Sequence, residues 1–159
     1  MNRLHNMSRA DDALERLFRV TTVLSDAMAE DLAARGLTRA RATVVAVLAR
    51  MGPSNQRALA DVLRVTPRNV TGLVDGLEGA GLVVRSPHPE DRRASLVSLT
   101  DAGAELAASL VEDERRLARF LFGGLDRDDL AAVTSGLDRV LERLAAPAFG
   151  ELRREALER

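Results

Sequence analysis

The sequence predicts a mainly α-helical fold with one small β-hairpin. Apolar residues recur at intervals of three and four over most of the chain, which is the periodicity of helices with one buried face. Residues 82–99 instead contain β-branched and alternating apolar residues on either side of a polar link with two prolines, a pattern typical of a hairpin. Capping residues and glycines stand at the boundaries between these segments.

The composition is that of a globular protein with few reactive groups. Of its 159 residues, 46% are apolar and 30% are charged, and no apolar run approaches the roughly 20 residues of a membrane-spanning helix. Cysteine is absent, and the two histidines, His5 and His88, are far apart in sequence. Thiol, redox and metal-based functions are therefore disfavoured. We therefore expect no cofactor. Because the N-terminus lacks the apolar core of a signal peptide, we expect a cytoplasmic protein.

The charge is unevenly distributed along the chain. A net charge of −1 argues mildly against a nucleic-acid-binding protein, but residues 50–100 hold seven arginines and five acidic residues, a net charge of +2. All 23 basic residues are arginine, which a GC-rich coding bias would explain. Each arginine is nevertheless a donor suited to phosphate and guanine.

Three short helices are predicted in the middle of the chain. Thr38 is expected to cap the first, which ends near Met51, and Ser54 is expected to cap the second. The third begins at Thr66-Pro67, an N-cap followed by a proline in the first turn, and ends at Gly79. Its apolar spacing places four residues in the core: Val70, Leu73, Val74 and Leu77.

Longer helices are predicted on both sides of this region. One spans residues 11–35, and Thr100 caps another that is separated by Gly123-Gly124 from a last long helix. After Pro147 the chain either continues as a helix or frays. Each flanking helix carries an apolar stripe, so these helices are expected to pack on one another or on a second copy of the chain.

Three short helices followed by a hairpin describe a winged helix-turn-helix. In this arrangement the second helix of the turn motif, residues 67–78, lies across the major groove of DNA. With its apolar residues turned inward, the helical period places five residues outward: Arg68, Asn69, Thr71, Gly72 and Asp75. Arg68 and Asn69 suit guanine and adenine respectively, although a solvated polar face would give the same pattern.

The link of the hairpin contains the run Glu90-Asp91-Arg92-Arg93 next to prolines. Arginine in a narrow minor groove is a known mode of DNA recognition. Phosphate would repel a free Asp91, so its expected role is to pair with a neighbouring arginine and fix its direction. The alternative is an ordinary charged turn.

The segment TPRNVTGLVDGLEGAGLVVR, followed by DRRASLVSLTDAG, resembles the MarR family of bacterial regulators. The wing motif of that family has an aspartate and an arginine two residues apart, then Leu-Thr and a glycine. The matching residues are Asp91, Arg93, Leu99, Thr100 and Gly103. The order of elements fits over essentially the whole chain, and the specific motif covers residues 59–103.

This resemblance implies a DNA-binding site. The wing arginine corresponds to Arg93, with Asp91 as its orienting partner. The start of the recognition helix corresponds to Thr66, Pro67, Arg68, Asn69 and Thr71. Together with the outward positions, the predicted DNA-contacting residues are Thr66, Pro67, Arg68, Asn69, Thr71, Gly72, Asp91, Arg92 and Arg93.

The resemblance also implies partners. A single domain is expected, in which helices within residues 9–36 and 104–159 form a homodimer and residues 38–103 form the DNA-binding lobe. Two-fold symmetry predicts an inverted-repeat site in double-stranded DNA. Members of the family commonly respond to small, often phenolic or anionic molecules bound between the dimer helices and that lobe.

One feature departs from the family pattern, because Gly72 and Gly76 stand where members often have a basic residue. Close approach of the backbone to DNA and simple tolerance both explain these glycines. An enzyme is disfavoured, since no nucleophile–base pair, phosphate-binding glycine loop or metal cluster is present in the sequence. We therefore expect a sequence-specific DNA-binding regulator, a repressor released by an effector. The alternative is a winged-helix module that binds proteins.

Overall fold

A computed structural model describes residues 2–87 and 95–158, with side chains described over 9–87 and 95–155 and at 158. The chain forms two compact units, Met1–Ser109 and Leu110–Arg159. The elements are α1 Asn2–Ala34, α2 Arg39–Met51, β1 Ser54–Asn55, α3 Gln56–Leu63, α4 Pro67–Gly79, β2 Val83–Pro87, β3 Ser95–Leu99, α5 Asp101–Phe122, α6 Arg127–Ala145 and α7 Pro147–Leu157. The predicted fold class, mainly α with a small β-structure, is confirmed.

Side-chain caps begin two of the short helices where the sequence predicts them. The Thr38 hydroxyl oxygen accepts a hydrogen bond from the backbone N–H of Arg41 at 3.3 Å at the start of α2. The Thr66 hydroxyl oxygen accepts from the backbone N–H of Asn69 at 3.3 Å, and Pro67 occupies the first turn of α4. Both caps satisfy a helical N–H that has no partner within its own helix.

The start of α3 differs by one residue from the prediction. Asn55, not Ser54, is the N-cap, because its side-chain oxygen accepts a hydrogen bond from the N–H of Ala58 at 2.8 Å. Ser54 is extended and forms β1, where its hydroxyl donates to the carbonyl oxygen of Gly52 at 3.0 Å. Pairing with β3 keeps Ser54 extended and moves the cap one position along.

The β-structure is a three-stranded antiparallel sheet in the order β1-β3-β2, one strand more than the predicted hairpin. Ser54 lies opposite Val97 in the added pairing. The hairpin strands pair from Val83 opposite Leu99 to Pro87 opposite Ser95. The sequence pattern predicts a polar link at residues 86–93, but residues 86 and 87 belong to β2, so the link begins later than predicted.

The core of the first unit lies between the three short helices and the sheet. Its largest fully buried side chains are Leu59, Leu77, Val44, Val45, Val70, Val74 and Val97. In α4 the predicted inward positions Val70, Val74 and Leu77 are buried, and Leu73 is partly exposed. For α2 the apolar spacing predicts one inward face formed by Ala42, Val45, Leu48 and Ala49. In the structure the buried face is centred on Val44–Leu48, and Ala49 is exposed.

The turn between α3 and α4 contains one unusual backbone conformation. Arg64 has φ 53° and lies in the left-handed region that favours glycine. Its neighbour Val65 donates a backbone hydrogen bond to the carbonyl of Ala60 at 3.1 Å, which closes the end of α3. The chain can therefore reverse within three residues and begin α4 at once.

The start of α5 is bonded to the segment that joins α4 to β2. The Thr100 hydroxyl donates to the carbonyl of Gly81 at 2.7 Å and accepts from the N–H of Gly103 at 3.1 Å. The N–H of Thr100 donates to the carbonyl of Leu82 at 3.1 Å. A methyl group at Gly103 would lie 2.0 Å from that same Leu82 oxygen. The predicted cap Thr100 is confirmed, and it also bonds the start of α5 to the segment that follows α4.

The second unit contains most of α5, together with α6 and α7. Asp126 caps α6 by accepting from the N–H of Asp129 at 2.8 Å. No side chain of α6 is buried. The segment after Pro147 forms a helix, so the first of the two alternatives for this end of the chain is correct.

Substitution of Gly103 by alanine should lower the free energy of unfolding by about 2–3 kcal/mol. The added methyl group would overlap the backbone carbonyl of Leu82, and a backbone atom in a bonded segment cannot move aside as a flexible side chain can. Urea denaturation followed by circular dichroism measures the loss.

Gly72→Ala is the matched control, because Gly72 lies inside α4 and no atom of the described residues lies within 4 Å of the added methyl group. It should stabilise the protein by about 0.5–1 kcal/mol. A Gly103→Ala protein as stable as the parent would contradict the close packing at this junction.

Candidate nucleic-acid interface

The exposed face of α4 carries the residues that the sequence places outward. Arg68, Asn69, Thr71, Gly72 and Asp75 are all exposed. The opposite face is held by the buried core of the first unit, so this helix is rigidly supported. Its predicted orientation is confirmed, whereas DNA contact by these residues stays a prediction.

The first turn of α4 presents two polar side chains that are available to a ligand. Among the described residues, neither the Arg68 guanidinium nor the Asn69 side-chain amide forms a hydrogen bond or ion pair. Both follow the Thr66 cap at the N-terminal end of the helix, where the helix dipole favours an anion. This end can therefore accommodate negative charge and offers donors suited to base edges.

Thr71 is exposed, but its hydroxyl is already engaged. It lies 2.8 Å from the side-chain oxygen of Gln56 in α3 and 3.1 Å from the carbonyl oxygen of Pro67. Its single proton is used within the protein, so Thr71 can act toward a ligand only as an acceptor or through its methyl group. Gln56 thereby joins the surface formed by α4, a position that sequence reasoning missed.

Arg85 of β2 joins α4 to the hairpin. Its guanidinium pairs with Asp75 at 2.5 Å and also with Glu78, and its backbone N–H donates to Glu78 at 3.3 Å. Burial disfavours the charged guanidinium, but the hydrogen bonds that it donates to Asp75 and Glu78 outweigh this effect and raise the pKa of Arg85 above its ordinary value. The guanidinium is thus engaged internally, and it offsets two carboxylates that would otherwise repel phosphate.

The predicted wing residues Asp91, Arg92 and Arg93 lie outside the described residues. The flanking strands are described: β2 ends at Pro87, and β3 begins at Ser95. The proposed pairing of Asp91 with an arginine therefore stays a prediction.

Within the described part of the chain, no three histidine, aspartate or glutamate side chains come together as a metal site. Nor does any described helix combine the length and apolarity needed to cross a bilayer.

Comparison with known proteins agrees with this geometry. The family model described as the MarR family matches residues 37–95, from the start of α2 into β3. An HTH-type transcriptional regulator of Mycobacterium leprae is 34% identical over 102 residues, which are 63% of this chain and 70% of that protein. The HTH-type transcriptional repressor NicR of Pseudomonas putida is 29% identical over 106 residues, 67% of each chain. The chain belongs to the MarR family of transcriptional regulators.

A solved structure shows the same fold. Streptococcus pneumoniae FabT, crystallised in complex with DNA, superposes with a TM-score of 0.72 at 18% identity, covering 87% of this chain and 96% of that one. The winged helix-turn-helix architecture of this MarR family protein is thus confirmed.

Three residues of the wing motif, Leu99, Thr100 and Gly103, lie within the described part of this MarR family protein. All three belong to the junction at Leu82, so this half of the motif maintains the structure.

Sequence reasoning missed Arg85, because its partners become neighbours only in the folded chain. A signal was present, since Asp75 and Glu78 are three residues apart and share one helix flank.

Removal of the Arg85 side chain should lower the free energy of unfolding by about 1 kcal/mol, because two carboxylates lose their common partner at a partly exposed site. In the background Asp75→Asn plus Glu78→Gln, Arg85→Ala should cost less than about 0.5 kcal/mol. Chemical denaturation of all four proteins completes the cycle.

The exposed Arg39→Ala serves as the matched control and should change stability by less than about 0.5 kcal/mol. Equal losses from Arg85→Ala in both backgrounds would show that packing of the arginine, not its ion pairs, supports the hairpin.

Proposed function

We propose that this MarR family protein is a homodimeric repressor that binds an inverted-repeat site in double-stranded DNA and is released by a small molecule. The observation that carries the proposal is the first turn of α4. Arg68 and Asn69 are exposed and unpaired among the described residues, on a helix whose opposite face is buried.

The arrangement of α3 and α4 suits entry into the major groove. The tight turn at Arg64 lets α4 project its N-terminal end, which is the end that meets base edges in helix-turn-helix proteins. Arg68 has the fork of donors that matches guanine, and Asn69 has the donor and acceptor that match adenine. Thr66, Pro67, Thr71 and Gly72 line the same end and would lie against the sugar-phosphate backbone or the base edges.

The wing is assigned a different role. Arg93 would enter the minor groove or grip its phosphates, with Asp91 fixing its direction and Arg92 beside it. The supporting observations are the family motif and the paired strands that lead to this segment. A contact of this kind adds affinity without reading a specific base in the major groove.

Repression and DNA binding are also supported by relatives. NicR is named as a repressor, and FabT was crystallised with DNA. A cytoplasmic location, and a division of the chain into dimer helices at 9–36 and 104–159 around a lobe at 38–103, belong to the same proposal.

A winged-helix module that binds proteins is the second candidate. Val62 and Val65, beside the turn between α3 and α4, are 43% and 37% exposed, so this surface is not wholly polar. The exposed side of α4 itself offers polar residues and glycines, not the aromatic or apolar anchors that dominate protein interfaces. DNA is therefore the favoured partner.

Substitutions in α4 and in the wing should weaken DNA binding in different ways. Arg68→Ala or Asn69→Ala should cost about 1–3 kcal/mol on the preferred site and relax the preference at one base pair. Arg93→Ala should weaken binding to every sequence and lower the salt slope by roughly one unit, and Asp91→Ala should resemble a weaker form of it. Fluorescence anisotropy on selected and scrambled duplexes at several salt concentrations measures both effects.

The control is Arg143→Ala in α6, which should leave both the affinity for DNA and the salt slope unchanged.

Footprinting should show half-site centres about 10 bp or a small multiple apart. If the α4 and wing variants stayed folded and bound like the parent, DNA binding through this face would be wrong and the protein-binding module would take its place.

The homodimer is supported by apolar faces left exposed on the single chain. In α6 one face carries six large apolar residues that are 38–61% exposed: Leu130, Val133, Leu137, Val140, Leu141 and Leu144. In α5 Phe120 is 85% exposed, and in α1 Phe18 is 62% exposed. Surfaces of this kind are normally covered by a partner, and a second copy is the commonest one.

Leu137→Asp should disrupt the dimer, because it places a charge in the middle of the α6 apolar face. Light scattering should report about twice 17.2 kDa for the parent and a lower mass for the variant. Ser135→Asp, on the other side of α6, is the matched control and should remain dimeric. A parent protein that is a stable monomer at micromolar concentration would overturn the assembly.

The effector rests on family resemblance. Its measurement is the release of the selected duplex by small aromatic carboxylates, with benzoate and salicylate as probes. Release at concentrations that leave the fold intact would support it.

A further inference from the structure

Arg41 of α2 lies against α4 at a position where α4 has no side chain. A methyl group built at Gly76 would lie 2.1 Å from Nη2 of Arg41 and 2.4 Å from its Cζ. The guanidinium therefore occupies the space that a side chain at Gly76 would fill. A methyl group built at Gly72, one turn earlier, would have no atom of the described residues within 4 Å, so Arg41 contacts α4 at Gly76 and not at Gly72.

The Arg41 guanidinium has no acidic partner among the described residues. Its backbone N–H is bonded to the Thr38 cap, but no hydrogen bond or ion pair involves the side chain there. This contrasts with Arg85, whose guanidinium is held by two carboxylates of the same helix. Arg41 is half-buried, so its position is restrained while its donors stay available to an anion.

The position of Arg41 on α4 follows from the helical period. Thr71, Asp75 and Glu78 share one flank of α4, where Gln56 and Arg85 contact them. Gly76 lies on the other flank, because successive residues are rotated by about 100°. A helix of roughly 10–12 Å diameter fills a major groove of about 12 Å width, so both flanks face a wall of phosphates.

We propose that Arg41 contacts a DNA phosphate, and that Gly76 leaves the gap through which α2 presents this charge. The inference rests on the proposed DNA-binding function. It accounts for the lack of basic residues in α4 after Arg68, where the charged residues are Asp75 and Glu78. The positive charge that the later turns of α4 lack is supplied by the neighbouring helix.

Four variants test this assignment on two duplexes, one selected by the parent protein from a random pool and one of scrambled sequence. Arg41→Ala and Arg41→Gln should each weaken binding to both duplexes about tenfold, because a charged hydrogen bond to phosphate is lost. The slope of log K against log salt concentration should fall by roughly one unit in each variant, because one arginine–phosphate contact is lost.

Gly76→Ala keeps every charge but displaces the guanidinium, which is the far end of a flexible side chain and can move without disturbing α4. Gly76→Ala should therefore weaken binding to both duplexes as the Arg41 variants do. The double variant Arg41→Ala plus Gly76→Arg places the charge directly on α4 and should recover most of the affinity and the salt slope of the parent.

The matched control is Arg50→Ala, an exposed arginine at the other end of α2, which should bind like the parent. Thermal unfolding of each variant establishes that the fold is intact. Parent-like affinity and salt slope for both folded Arg41 variants would overturn the inference while leaving DNA binding in place. A parent protein that binds neither duplex would overturn the proposed function and this inference together.

Discussion

The backbone at Gly81-Leu82 is bonded on both sides, and much of the first unit depends on it. The N–H of Leu82 closes the end of α4 by donating to the carbonyl of Leu77 at 2.9 Å, while its carbonyl accepts from Thr100 at the start of α5. Gly103 allows this approach because it has no side chain to keep α5 away from that carbonyl. The end of the recognition helix, the base of the hairpin and the beginning of a long helix are thereby held in one arrangement. A shift in any of them must break hydrogen bonds or move the others.

Charge on the recognition helix is arranged so that a nearly neutral protein can present a polar, anion-accepting face. The acidic residues of α4 are paired with Arg85, and the arginine of its first turn is unpaired among the described residues. The net charge of −1 is therefore a poor guide to the local potential. For DNA the local arrangement matters more, because phosphate is neutralised contact by contact and not by the sum over the chain.

The two units bury their apolar residues differently. In the first, α2, α3, α4 and the sheet cover one another, so that Val44, Leu59 and Val97 are fully buried. In the second, α6 has no buried residue, and its apolar face remains accessible. A lobe with its own core can keep its recognition surface whatever covers α6. The polar face of α4 and the apolar face of α6 thus lie in separate parts of the sequence.

The sequence by itself determined the helices, the hairpin and the orientation of α4, because caps, prolines and the period of Val70, Val74 and Leu77 are local properties. It also indicated the family, through the spacing of Asp91, Arg93, Leu99, Thr100 and Gly103. Only the tertiary structure decided the third strand, the cap at Asn55, the partners of Arg85 and the position of Arg41 beside Gly76, since each depends on residues distant in the chain. Periodicity shows which way a side chain points, but the backbone path decides what it meets.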